Sequence, residues 1–312
     1  MGERTILVIG SLNMDMVINV DHTPVTGETV LSNQMTMVPG GKGANQACAL
    51  GCLGADVVML GAVGKDSYAD MQRRSLGRAG VDVSFLVEKE GVSTGLAVVT
   101  VDRDGDNSIV VVSGANMMLS PEDIDRNVEL IRQSDIVVLQ LEIPLETVCH
   151  AARTAKALGK TVILDPAPVP NVFPEELYRY VDIIKPNETE LARLTGEYDM
   201  EDGIAAAAGK LRAHGVKNVL VTLGEKGVFL DSEECGRSVI PAHKVHAVDT
   251  TAAGDSFTAA LAVMLAQGKN IREAAEFANC VSAIVVTREG AQSSIPTLEE
   301  VMEYRSEIEK AG

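Results

Sequence analysis

Residues 249–268 read Asp249-Thr-Thr-Ala-Ala-Gly-Asp255-Ser-Phe257-Thr-Ala-Ala-Leu261-Ala-Val-Met264-Leu265-Ala-Gln-Gly268. From Phe257 onward the large apolar residues recur at helical spacing, and Gly268 is placed to stop the helix. The residues just before it, Ala252, Ala253 and Gly254, have almost no side chain, so a ligand can approach the main chain there. Helix N-terminal N–H groups carry partial positive charge and suit a phosphate. Asp255 falls in the first turn. An acid there is ordinarily a cap. A phosphotransferase has another use for it, accepting the proton of an attacking hydroxyl while the amides beside it stabilise charge on the transferring group.

Working back from this stretch, short β-branched runs alternate with helical ones. Strands are expected at 5–10, 57–61, 135–141, 161–165, 182–185 and 218–222, and helices at 43–53, 67–79, 145–158, 188–194 and 201–214. Such alternation gives a mostly parallel sheet covered by helices on both faces, an α/β/α sandwich. Two stretches depart from it. Residues 13–38 alternate without a helical pattern, and 95–113 read as two strands about Asp104-Gly105, a hairpin signal. They are expected to form a small antiparallel sheet on a single unit spanning 1–312, either a lid over a pocket or an edge decoration.

Four further segments carry polar groups at element ends. Pro39-Gly-Gly41-Lys42-Gly-Ala-Asn45-Gln46 is a glycine-rich loop opening a helix. It lacks the Lys-Ser or Lys-Thr of a P-loop, Gln46 occupies the third glycine position of a dinucleotide fingerprint, and no clean strand leads in. Lys42 and Asn45 beside bare backbone suit a polyhydroxylated ligand; a tight turn before a packed helix is the structural alternative. Asn13 and Asp15 follow the first strand two residues apart, so they share a face and can grip vicinal hydroxyls, unless they form an Asx turn. Glu142 ends another strand and can join the same ligand. In Lys185-Pro-Asn187-Glu-Thr-Glu190 the spacing fits a helix cap, or a hydrated Mg²⁺. Thr222-Leu-Gly224-Glu-Lys-Gly227 reads as a hairpin whose glycines can admit phosphates.

Composition sets limits. The formal charge of −17 argues against a basic face of the kind nucleic acid requires and equally against an anionic membrane, so phosphate has to be held locally. The same charge also keeps a protein soluble. Aromatic residues make up 3% and tryptophan is absent, which leaves Ala, Val, Ile, Leu and Met to build the core and disfavours a base-stacking nucleoside pocket. The five cysteines form no Cys-x-x-Cys pair, as expected of free thiols in a reducing cytoplasm. The apolar run Ile6–Ile9 is too short for a signal peptide or a span. None of the five histidines sits at metal-ligand spacing, and there is no Gly-x-Ser-x-Gly.

Taken together, the five segments resemble the ribokinase family of carbohydrate kinases, from Gly10-Ser-Leu-Asn-Met-Asp15 to Thr287-Arg-Glu-Gly-Ala-Gln-Ser-Ser-Ile-Pro296. The two family signatures fall on Gly40–Gly43 with its helix and on Asp249–Phe257. The resemblance implies an ATP-dependent sugar kinase with Asp255 as base and an anion hole at Ala252, Ala253, Gly254 and Asp255. It places the sugar on Asn13, Asp15, Gly41, Lys42, Asn45, Glu142 and Asp255. It places ATP on Asn187, Thr222, Gly224, Gly227, Gly254 and Asn279. Mg²⁺ is implied through water at Asn187 and Glu190. K⁺ is implied beside Asp249, Thr251, Val285, Arg288, Gly290 and Ser294, several of them through carbonyls. A homodimer formed through the lid is also implied. Ala253, where many relatives have Gly, points within the family to ribose phosphorylated at its 5-hydroxyl. Deoxyribose, fructose and a non-catalytic sensor are the alternatives; a phosphosugar is disfavoured because no basic cluster is visible.

Overall fold

The computed structural model describes residues 5–103 and 106–311. Eight strands form the main sheet, in the order Gly236–Ile240, Val228–Ser232, Asn218–Thr222, Ile183–Ile184, Thr161–Leu164, Ile136–Leu139, Thr5–Ile9, Asp56–Leu60. From Asn218–Thr222 to Asp56–Leu60 every neighbour is parallel, and the other two strands add an antiparallel meander at one edge. The six parallel strands therefore end at the same side of the sheet, where ligands collect in open α/β folds.

Strand Thr5–Ile9 shows why both faces are covered. Ile6 and Val8 pack into one core beneath helices Lys42–Cys52, Ala253–Ala266 and Ile271–Val285. Leu7 and Ile9 pack into the other, beneath Leu145–Ala157 and Met200–Ala213. Much of the helix contribution is alanine: Ala259, Ala260, Ala262, Ala274, Ala275 and Ala278 are all fully buried. Small residues let helices approach closely, and this explains how a core with so few rings is filled.

A second sheet has the order Gln34–Gly40, Asn13–Asn19, Gly95–Val101, Asn107–Val112. Its outer pairs are antiparallel, but Asn13–Asn19 runs parallel to Gly95–Val101, with Asn13 opposite Gly95. The expectation of a wholly antiparallel sheet is corrected here: the two middle strands lie some eighty positions apart in the chain, and only a crossover joins them. The expected hairpin signal Asp104-Gly105 lies outside the described residues. The glycine-rich loop is also entered from a strand, Gln34–Gly40, contrary to the sequence reading. The two-strand sheet formed by Ala62–Gly64 and Val87–Lys89, and helices Ile271–Val285 and Leu298–Ala311, were not anticipated.

Among the described residues no helix is long and apolar enough to cross a membrane. All five cysteines are free.

Candidate active site

Helix Ala253–Ala266 begins at Ala252, which takes φ 59° and ψ 6° and is the one non-glycine residue of positive φ among the described residues. The left-handed conformation costs an L-residue about 1–2 kcal/mol, so the turn is held open by its surroundings. Asp255 lies three positions further on, in the first turn, yet does not cap the helix. Its Oδ2 accepts from Asn45 Nδ2 at 3.1 Å and its Oδ1 from Gln46 Nε2 at 3.0 Å. The carboxylate thus faces the glycine-loop helix, Lys42–Cys52. Burial pushes its pKa up. Lys42 opposes that rise, Asp165 adds to it, and Gln46 and Lys185 hold it back. A base whose affinity for a proton is raised in this way suits the removal of one from a hydroxyl.

The glycine loop meets the end of the first strand. Lys42 N–H and the Ser11 hydroxyl both donate to Glu142 Oε2, at 3.1 and 2.6 Å, and Gly43 N–H donates to Ser11 Oγ at 3.2 Å. A Cβ on Gly43 would stand 2.6 Å from Ser11 N, and one on Gly41 (φ 91°) would stand 2.7 Å from Asn13 N. Close approach is what the glycines supply. Burial works against charge on the Lys42 ammonium, but Asp255, Asp165, Glu142 and Glu190 together raise its pKa.

Asn13 and Asp15 occupy alternate positions of strand Asn13–Asn19. Asn13 Oδ1 accepts from Asn116 Nδ2 at 2.7 Å, and Asn116 also bonds the main chain of Leu12 in both directions. The Asp15 carboxylate fills the space that a side chain at Gly40 would take. Burial, then Glu142 and Asp255, pushes the pKa of Asp15 up to about 6.

At the next strand ends, Lys185 Nζ donates to Asp165 Oδ2 at 3.1 Å and to the Gly254 carbonyl at 3.2 Å. Gln46 Nε2 also donates to Asp165 Oδ2, at 2.9 Å, while Gln46 Oε1 accepts from Gln140 at 2.6 Å. Asn187 and Glu190 form a reciprocal cap, each side chain accepting from the other's N–H at 2.8 Å. Glu190 nonetheless belongs to the same electrostatic field. Burial and Asp165 raise its pKa, while Lys185, the Asn187 N–H and Lys42 resist.

Of the residues expected to hold nucleotide, Gly254 lies against Lys185, and the others gather about the antiparallel edge of the sheet. Asn187 bridges to Thr222. Gly224 and Gly227 turn the hairpin at φ 56° and 100°, and a Cβ on Gly227 would collide with the main chain of 240–242. Asn279 donates to the carbonyls of Ile240 and Pro241, at 3.3 and 3.2 Å. It lines a cavity of about 320 Å³ with His243, Arg272 and Cys280.

Of the residues expected around K⁺, Asp249 ties two loops together, accepting from Thr251 N and Gly290 N at 2.9 Å each. Burial would raise its pKa, but the Thr251 hydroxyl and these N–H groups hold it below the usual value. Val285 offers a carbonyl, which receives Arg288 N, and the Ser294 hydroxyl bonds Ala291 O. The Arg288 side chain turns away to Glu300, at 2.7 Å.

Sequence reasoning gave no role to Ser11, Asn116, Gln140, Asp165 or Lys185, and dismissed Gln46 as a missing glycine. For Asp165 and Lys185 a signal existed: each immediately follows a parallel strand, as Glu142 nearly does.

A strained turn of main-chain amides with a buried acid beside it, and a polar floor able to take hydroxyls, together describe a phosphotransferase acting on an alcohol. The comparisons agree. The model of the pfkB family carbohydrate kinase matches residues 3–298. The chain is 40% identical over 302 residues to a ribokinase of Haemophilus influenzae, covering 96% of this chain and 98% of that one. The same identity, length and coverage relate it to a deoxyribokinase of Salmonella typhi. A solved structure, Arabidopsis thaliana ribokinase complexed with ribose and ATP, superposes with a TM-score of 0.90 at 36% identity, covering 97% of this chain and 98% of that one. The chain belongs to the pfkB family of carbohydrate kinases.

Proposed function

We propose that the chain transfers the γ-phosphate of ATP to the 5-hydroxyl of D-ribose, giving D-ribose 5-phosphate and ADP. The observation that carries this is the placement of Asp255: an acid in a helix's first turn that leaves the cap unmade and is instead held by Asn45 and Gln46 beside the Ala252–Gly254 turn. The sugar oxygen forms the new bond to the γ-phosphorus, the bond from phosphorus to the β–γ bridging oxygen breaks, and the hydroxyl proton passes to Asp255. The amides of the turn stabilise the charge that develops on the transferred group.

Ribose is favoured over deoxyribose by the floor. Asn13 and Asp15 share one face of a strand, with Glu142 within electrostatic reach of Asp15. This arrangement suits adjacent hydroxyls, and a site that bonds a hydroxyl discriminates strongly against the analogue lacking it. The name of the Salmonella relative makes deoxyribose the competitor to test.

Asn187 and Glu190 fit a water-mediated Mg²⁺ site, because Glu190 shares its surroundings with Asp165 and a cation would relieve their mutual repulsion. When bound, the metal offsets charge on phosphate oxygens. The loops joined by Asp249 fit a K⁺ site built largely of carbonyls. ATP lies along Asn187, Thr222, Gly224 and Gly227, with its base toward Asn279. The second sheet acts as a lid and, through its exposed outer strand, as the contact of a homodimer in the cytoplasm.

The test is ADP release over a panel of ribose, deoxyribose and fructose, with wild type and Asp255→Asn. Ribose is expected to give the highest kcat/KM, and the variant to lose roughly 10²-fold or more in kcat while still binding ATP. Full activity in the variant would remove Asp255 from the mechanism.

A further inference from the structure

Lys185 is 4% exposed and Asp165 1%. A buried pair of this kind is often a structural ion pair and nothing more. Its geometry here argues otherwise. Such a pair stabilises best when the ammonium and both carboxylate oxygens are mutually satisfied. Instead Asp165 Oδ1 is buried with no partner, and Lys185 directs its second hydrogen bond to the Gly254 carbonyl, in the first turn of the catalytic helix.

An ammonium has three donors, and the protein supplies two acceptors. A Cβ on residue 254 would stand 3.1 Å from Nζ, so glycine at this position keeps the ground between the ammonium and the turn clear. The other lysine of the site, Lys42, lies in the glycine loop on the sugar side. Lys185 follows the strand that leads directly into Asn187, on the nucleotide side.

We propose that Lys185 is a further cationic residue of phosphoryl transfer, its remaining N–H contacting an oxygen of the transferring group while Asp165 and Gly254 fix its position. The inference rests on the kinase reading given above. Lys185 takes no part in bond making; it stabilises charge in the transition state and grips the terminal phosphate of ATP, which ADP lacks.

Lys185→Met tests it in the full chain. The variant is expected to lose roughly 10²-fold in kcat, the scale of one lost oxyanion donor, with the KM for ribose unchanged. Calorimetry should show about tenfold weaker binding of β,γ-methylene-ATP, the scale of one lost charge-assisted bond, and unchanged binding of ADP. If Lys185→Met does not fold, Lys185→Met/Asp165→Asn removes the stranded carboxylate, and the same contrast is read from it. A folded variant with wild-type kcat overturns the proposal, as does an equal loss of affinity for ADP and for the triphosphate analogue. Wild-type enzyme inactive with every sugar overturns the kinase reading as well, and that result is visible before any variant is made.

Discussion

Gln46 Nε2 donates to Asp255 Oδ1 at 3.0 Å and to Asp165 Oδ2 at 2.9 Å, so one amide holds two carboxylates in the floor of the site. Gln140 fixes the other end of that amide at 2.6 Å. The bond to Asp255 favours the ionised form. Gln46→Leu should therefore raise the pKa of Asp255 and shift the acid limb of the kcat/KM profile to higher pH. Because the acid also loses its positioning, kcat is expected to fall about 10- to 100-fold. A profile that keeps its wild-type shape would refute this role.

Asp15 makes a second, separable pH effect. With its pKa pushed up to about 6, its carboxylate protonates as the pH falls through that value and loses acceptor capacity for sugar hydroxyls. The KM for ribose should climb below pH 6 while kcat at saturating sugar follows Asp255 instead. The stability consequence has a definite sign. The folded pKa lies above the ordinary 3.8, so the native state holds more protons between the two values, and stability falls as pH rises from 3.8 to about 6. Asp15→Asn should melt higher than wild type at pH 8 and show little difference at pH 3.5. Equal shifts at both pH values would show that the effect is not one of charge.

The outer strand of the second sheet, Asn107–Val112, exposes apolar side chains on both of its faces. Ile109, Val110, Val111 and Val112 are 50–66% accessible, and the strand's outer edge is unpaired in the sheet order. Such an edge invites a second strand. Sedimentation at micromolar concentration should find a dimer for wild type and a smaller species for Val110→Lys. A monomeric wild type would remove the lid interface.

Potassium should raise turnover over a sodium-only buffer, because ordering the loops joined by Asp249 also orders the turn that starts two residues after Thr250. Asp249→Ala should flatten that response. Identical rates in potassium, sodium and cation-free buffer would count against the site.

How much of this was legible beforehand follows from the physics of each part. The parallel strands announced themselves because a doubly covered strand is a continuous apolar run, as in Ile6–Ile9. The main motifs were legible because bare backbone next to a helix start is unusual. Pairing between Asn13–Asn19 and Gly95–Val101 was not, since register between distant segments leaves no local mark. Helix Ile271–Val285 carries a full capping box at Asn270 and Glu273, so it was available and overlooked. Gln46, Gln140 and Asn116 were beyond reach: a buried amide earns its place from partners that only the folded chain assembles.

Strand Asn13–Asn19 begins with Asn13 and Asp15 in the candidate site and continues outward as a middle strand of the second sheet. Asn116, just past the outermost strand, returns to clasp Asn13 and Leu12 at its root. One strand thus ties the candidate site to the outer sheet. On the proposed reading, covering the pocket and gripping the sugar are therefore one movement, because a single strand carries both.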